Sequence, residues 1–309
     1  MVTEKNLPKK VKIVEVGPRD GLQNEPVTIS TQNKIGFIEL LAESGLKDIE
    51  ITSFVHPKVI PQLSDAEDVI KGLRQFEGVA YSALVPNLKG LQRAIDSGIK
   101  KVAVFTACSE TFTKVNINMS IDESLKTFKE VTKTAIENGL SVRGYISTCF
   151  VCPYEGEIKK EKVLYVAKAL IDLGIYEVSL GDTIGAAVPI DIFEAVGYVI
   201  NQIPKEKIAL HFHDTYGTAL ANVMSGLELG ISTYDTSAGG LGGCPFAPGA
   251  SGNLATEDLV YMLNKMKIET GVNINKLARA SFYMQNIIGH TLPSKQLQRL
   301  GITGDILNV

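Results

Sequence analysis

The sequence predicts a (β/α)8 barrel, an α/β fold, on three observations. Five segments repeat one theme: SGLKDIEITS at 44–53, SGIKKVAVFTA at 97–107, NGLSVRGYIS at 138–147, LGIYEVSLGDT at 173–183 and LGISTYDTSAGG at 229–240. In each, a glycine able to end a helix in the left-handed conformation precedes a short β-rich run. Helical-looking segments lie before those glycines, at Lys34–Ser44, Leu88–Ser97, Ile121–Asn138, Lys160–Leu173 and Leu220–Leu229. Further strands at Val11–Val16, Val79–Val85 and Lys207–His213 complete eight strands alternating with helices, and such alternation demands a parallel sheet.

The competing architecture is an open doubly wound sheet. It is disfavoured because GPRDGLQNE, not G-x-G-x-x-G, follows the first strand. No linker or low-complexity stretch divides the chain, so one catalytic domain is expected over 1–309. The barrel takes about 11–255. From about 256 to 309 the pattern turns helical (EDLVYMLNKM, then NKLARASFYMQNII), an extension expected on or beside the barrel mouth.

Composition sets outer limits. A 45% hydrophobic content over 309 residues supports a sizeable core. The net charge of −3 gives no reason to invoke nucleic acid or an anionic membrane. No apolar run approaches the ~20 residues that span a bilayer. The N-terminal MVTEKNLPKK has neither a signal-peptide core nor a transit-peptide pattern, so a cytoplasmic protein is expected. Four cysteines in such a chain read as reduced thiols, not a disulfide framework.

Barrel sites are built at the C-terminal ends of strands, and polar residues gather there. In IALHFHDTYG (208–217), His211 and His213 are two apart and project to one side. Two such imidazoles at the end of a buried strand bind a metal or form a hydrogen-bonded structural pair. Asp20, after strand 1, is the natural third ligand, and a carboxylate with two imidazoles suits an octahedral ion that also binds substrate oxygens. Arg19 is either a salt-bridge residue or a stabiliser of developing enolate or carboxylate charge. Glu50 lies inside an apolar strand and must have a partner: it holds Arg19 or takes part in proton transfer. Strand 6 ends in Ser179 and Gly181-Asp182-Thr183, and strand 5 runs into Thr148 and Cys149.

The glycine- and proline-rich segment at 239–253 first suggests a phosphate cradle. Cys244 in its middle changes that expectation to a candidate acid, base or nucleophile on a closing loop. Asn253 at its end is a candidate fourth ligand through its amide oxygen. The Cys149-x-x-Cys152 pair reads as barrel wall, since no second such motif accompanies it. His56, in SFVHPK, reads as an exposed loop residue, and His290 in the tail carries no recognisable motif.

Together these residues resemble the 3-hydroxy-3-methylglutaryl-CoA lyases, within the metal-dependent barrel superfamily that includes isopropylmalate and homocitrate synthases. The matching motifs are VGPRDGLQNE (16–25), TSFVHPKVIPQ (52–62), PNLKG (86–90), NINMSI (116–121), CPYEG (152–156), LGDTIG (180–185), HFHDTYG (211–217) and GLGGCPFAPGASGNLATEDLVYML (240–263). The cysteine-bearing loop is the mark of the lyases themselves. The resemblance implies Mg2+ or Mn2+ held by Asp20, His211, His213 and Asn253, with Arg19 stabilising an enolate and Cys244 as the catalytic thiol. Glu50, Gln23 and Asp182 complete the implied site, with Ser53 and Thr183 beside the substrate. It implies cleavage of 3-hydroxy-3-methylglutaryl-CoA to acetoacetate and acetyl-CoA, with His211, Asp20, Asp182 or Glu50 as first base. A homodimer and an acyl-CoA substrate are expected. The targeting extension of organellar members is missing, which favours a bacterial or cytosolic setting.

Two other readings compete. A Claisen-type synthase or aldolase on an acyl-CoA and a 2-keto acid uses a similar site but has no need of the CPFAPGASGN loop. A non-catalytic barrel that binds CoA esters is free to lose Arg19, Cys244 or a ligand, and this chain keeps them all.

Overall fold

The computed structural model describes residues 7–243 and 252–303. Its strands are β1 (Lys12–Glu15), β2 (Asp48–Ser53), β3 (Ala80–Leu84), β4 (Lys101–Ala107), β5 (Ser141–Ser147), β6 (Val151–Cys152), β7 (Gly156–Glu157), β8 (Glu177–Asp182), β9 (Ile208–Phe212) and β10 (Thr233–Thr236). Eight of them close in the order β1-β2-β3-β4-β5-β8-β9-β10, every neighbour parallel. The eight strands read from the sequence are these eight. The two-residue strands β6 and β7 form a small antiparallel hairpin beyond β5 that the sequence pattern did not announce.

The helices are α1 (Thr31–Glu43), α2 (Ala66–Gly72), α3 (Leu88–Asp96), α4 (Glu110–Ile117), α5 (Ile121–Glu137), α6 (Lys160–Asp172), α7 (Pro189–Ile200), α8 (Ala219–Glu228), α9 (Thr256–Lys265), α10 (Ile274–Ile288) and α11 (Lys295–Thr303). Local chemistry fixes their starts. The Ser30 hydroxyl accepts from the Asn33 amide at α1, and Ser120 and Glu123 form a reciprocal capping box at α5. The five helices foreseen lie within three residues of their expected limits. Missing from the expectation were α2, α4 and α7. The first two are short, and α7 leaves Ile190 and Phe193 59% and 38% exposed, which blurs its apolar stripe. None of the described helices is long and apolar enough to cross a membrane.

The main apolar core lies between strands and helices, where Val102 and Val104 of β4 join Phe128 and Val131 of α5. The inward faces of the strands carry a polar network beside a small apolar cluster of Leu84, Ala103 and Tyr145. Arg143 on β5 donates to Asp235 on β10, and Tyr145 on β5 donates to Glu50 on β2. Neither pair of strands is adjacent, so both bonds cross the lumen. Lys12 on β1 likewise reaches Glu177 on β8 at 2.8 Å.

Beyond the barrel, α10 lies against α1, with the Tyr283 hydroxyl 3.3 Å from Asn33 Oδ1. Leu292 and Pro293 cover the turn at Gly239 and Gly240; φ there is +68° and +75°, and a Cβ on Gly239 would lie 2.4 Å from Leu292 Cδ1. Beneath this turn Glu257 is fully buried, accepting from the Gly239 amide at 2.8 Å and from the Ser281 hydroxyl.

Burial pushes the Glu257 carboxyl up from 4.5 to about 8, against the hydrogen bonds from Ser281 and Gly239. The folded chain therefore keeps a proton that the unfolded chain releases above 4.5, and this contribution to stability is lost as pH rises towards about 8. Urea unfolding of the parent and of Glu257→Gln between about pH 5 and about pH 8 is the test. The parent is expected to lose stability relative to the variant across that window, and a pH-independent difference would refute the protonated carboxyl.

Candidate active site

The chain leaves β1 through a π-helical turn at Gly17–Gly21, in which the Val16 carbonyl accepts from the amides of Arg19, Asp20 and Gly21 at 3.1, 2.7 and 3.2 Å. This wide turn drops Arg19 into the lumen and leaves Asp20 at the rim. The Arg19 Nε donates to Glu50 Oε1, and its Nη1 donates to Asp20 Oδ1 at 2.6 Å. Tyr145 donates to the other Glu50 oxygen at 2.9 Å. Its ring lies 5.5 Å from the Arg19 guanidinium carbon and 4.9 Å from that of Arg143. Glu50 thus has the partner its position in an apolar strand demanded. Burial raises the Asp20 carboxyl, but Arg19, then the two histidines, outweigh it and hold the group down to about 2.

His211 closes β9 with Phe212, and His213 follows directly; their ring centroids are 5.3 Å apart. One candidate ligand atom from each of Asp20, His211 and His213 lies within 4.8 Å of the others. Burial, then His211, brings His213 down from 6.5 to about 4, so it is neutral and carries a free lone pair at neutral pH. Asn253 is delivered by backbone pairing. The Leu254 amide donates to the Phe212 carbonyl at 2.9 Å, the Asp214 amide donates to the Gly252 carbonyl at 3.1 Å, and His213 and Asn253 form an antiparallel bridge. The Asn253 amide nitrogen then donates to Asp20 Oδ2 at 2.9 Å and to the Leu241 carbonyl at 3.0 Å.

Three buried atoms here have no hydrogen-bond partner among the described residues: His211 Nδ1, His213 Nδ1 and Asn253 Oδ1. Buried polar atoms normally find partners; His211 Nδ1 faces Asp235, whereas His213 Nδ1 and Asn253 Oδ1 stand beside Asp20 without one. The donor set of carboxylate, imidazoles and amide oxygen fits a divalent cation.

Behind His211 stands Asp235, its register partner on β10, with Oδ2 3.4 Å from His211 Nδ1. That separation is too long for a well-formed bond. Asp235 also accepts from Ser179 at 2.6 Å and from Arg143 at 2.7 Å, and Arg143 in turn donates to Glu177 at 2.7 Å. Asp235, Glu177 and the lumenal role of Arg143 escaped the sequence reading. The signal that exposed Glu50, a charge inside an apolar strand, applies equally to them and to Glu15.

The other expected residues lie around this rim. Both Asp182 oxygens accept backbone amides, from Ala186 at 3.1 Å and Ala187 at 3.0 Å, while burial pushes its carboxyl up to about 6. Ser53 accepts from the Val55 amide at 3.1 Å, and Thr183 accepts from the Thr148 amide at 2.8 Å. Gln23 is half-buried just past the π-turn. Cys244 lies outside the described residues. Cys149 and Cys152 are buried free thiols, the former donating to the Ile146 carbonyl at 3.1 Å. His56 is exposed, and His290 lies 2.9 Å from Glu25.

Comparison with known proteins agrees with this geometry. The HMGL-like family matches residues 10–283. A hydroxymethylglutaryl-CoA lyase of Bacillus subtilis is 53% identical over 291 residues, covering 94% of this chain and 97% of its own. The mitochondrial hydroxymethylglutaryl-CoA lyase of Bos taurus is 53% identical over 94% of this chain and 90% of its own. The crystal structure of hydroxymethylglutaryl-CoA lyase from Pseudomonas aeruginosa superposes with a TM-score of 0.95 at 47% identity, covering 96% of this chain and 99% of that one.

Replacing Arg143 by Met would leave Asp235 without its guanidinium, bonded to Ser179, and Glu177 with Lys12 alone. Breaking a buried ion pair in this way costs about 3–5 kcal/mol. A urea midpoint unchanged from the parent would show that the lumen network contributes no stability.

Proposed function

This chain belongs to the HMGL-like family, and from that premise we infer that it is a metal-dependent carbon–carbon lyase that cleaves 3-hydroxy-3-methylglutaryl-CoA to acetoacetate and acetyl-CoA. The observation that carries this reading is the meeting of Asp20, His211 and His213 at one rim with Arg19 bonded to Asp20. We assign the cation as Mg2+ or Mn2+, held by Asp20, His211, His213 and Asn253, since an oxygen-containing donor set without thiolate suits those ions. When bound, such an ion supplies Lewis acidity that lowers the pKa of the substrate's tertiary hydroxyl.

The chain's own groups do the rest. Asp20 accepts the hydroxyl proton. The alkoxide electrons form the ketone carbonyl of acetoacetate as the carbon–carbon bond breaks, and the bonding pair passes to the acetyl-CoA enolate. Arg19, fixed by Glu50, stabilises the enolate oxygen from a buried and permanently charged position. Cys244 protonates the enolate carbon to give acetyl-CoA. Gln23, Ser53 and Thr183 border the substrate, and Asp182 shapes the loop after β8. The three described cysteines are free thiols, which supports a reducing, cytoplasmic setting. A homodimer follows from the family resemblance.

The deciding assay follows acetoacetate release from 3-hydroxy-3-methylglutaryl-CoA with Mg2+ present and with a chelator added. Chelator-sensitive cleavage is expected; no cleavage by folded, metal-loaded protein would discard the substrate. Cys244→Ser is expected to lower turnover by about a hundredfold or more with Mn2+ affinity unchanged. Asp182→Asn should keep turnover within about tenfold, whereas Asp20→Asn should lose both turnover and Mn2+ affinity. A larger loss in Asp182→Asn than in Asp20→Asn would transfer the base role to Asp182.

A further inference from the structure

Glu15, the last residue of β1, is fully buried and takes no part in the chemistry above. Its Oε1 accepts from the Gly17 amide at 2.8 Å and from the Ala238 amide at 2.8 Å. Its Oε2 accepts from the Thr256 hydroxyl at 2.7 Å, and that hydroxyl also lies 2.7 Å from Thr236 Oγ1. One carboxylate therefore ties together three segments distant in sequence. Gly17 opens the π-turn that carries Arg19 and Asp20. Ala238 opens the turn leading to Leu241, whose carbonyl takes the Asn253 amide. Thr256 follows Asn253 by three residues and begins α9. Even the glycine at 17 fits this arrangement, since a Cβ there would sit 2.6 Å from Glu15 Oε1.

From this junction we propose that Glu15 is a positioning residue for the metal centre, fixing the separation of the Asp20 turn from the Asn253 segment. The inference rests on the metal-centre reading above. Asp20 and Asn253 face each other across 2.9 Å, yet no secondary structure joins their segments at that point. Backbone bonds link the two sides by way of β10, from Val16 to Thr236 and between Ser237 and both Leu254 and Thr256. Glu15 adds the direct side-chain ties: from one oxygen to Gly17 and Ala238, from the other to Thr256. The hydrogen bonds of Glu15 go to Gly17, Ala238 and Thr256, none of them a candidate ligand.

Three variants separate positioning from bulk stability. In Glu15→Gln the side-chain carbonyl still accepts both amides, while its NH2 donates to Thr256, whose proton turns to Thr236. Glu15→Ala removes every tie, and Thr256→Val removes only the tie to the Asn253 side. The readout is Mn2+ affinity, followed through the paramagnetic resonance signal of free Mn2+, on protein shown to be folded by circular dichroism. Glu15→Ala is expected to bind Mn2+ about tenfold or more weakly, as loss of a group supporting metal ligands does. Thr256→Val should lose about three- to tenfold, the worth of one hydrogen bond. Glu15→Gln should stay within about twofold of the parent. Should Glu15→Ala fail to fold, Thr256→Val decides alone. Parent-like affinity in the folded variants would overturn the inference, as would a Glu15→Gln loss equal to that of Glu15→Ala. Absence of Mn2+ binding by the parent would instead overturn the metal-centre reading, and this inference with it.

Discussion

Two guanidinium groups, each held between two carboxylates, govern what the barrel lumen can do. Arg143 bridges Glu177 and Asp235, Arg19 bridges Glu50 and Asp20, and the Tyr145 ring lies between the two layers. Charges taken out of water at this depth are tolerable only with close, well-directed partners. In this connected network Lys12, Arg19 and Arg143 stand against Asp20, Glu50, Glu177 and Asp235, three positive groups against four negative. A surplus of one negative charge suits a rim that receives a dication together with an anionic substrate. In the lower layer Arg143 keeps one nitrogen, Nη1, without a partner among the described residues, and at the rim His211, His213 and Asn253 each carry one such atom.

How much of this the sequence discloses depends on how local the cause is. The strand repeat, with a glycine after each helix, is local; five of the eight barrel strands are legible from it, and the other three fit between or around them. The Arg19–Glu50 contact was one of two roles open to Glu50, and it was legible because a carboxylate in an apolar strand demands a cation. The cross-lumen pairings were not. Arg143 and Asp235 are separated by 92 residues and meet only because the sheet closes. The same holds for Glu15, whose partners Ala238 and Thr256 lie more than 220 residues along the chain. Short helices such as α2, with a single turn or two of amphipathic pattern, fall below what periodicity can resolve.

Bonding and placement together divide the labour among the rim's acids and bases. A general base needs an unoccupied lone pair near the substrate. Glu50 has both oxygens committed, one to Arg19 and one to Tyr145, and a proton on it would leave the buried guanidinium without its inner counter-charge. Asp182 turns both oxygens to the amides of the loop that it caps. His211 as a ligand through one nitrogen has its other nitrogen facing Asp235, so no lone pair remains for substrate. Asp20 likewise accepts one bond on each oxygen, from Arg19 and from Asn253, and what sets it apart from Glu50 and Asp182 is its place beside both histidines at the rim. The guanidinium that stabilises the product's enolate is also the group that keeps this carboxylate ionised, so a single side chain, Arg19, sets both ends of the reaction.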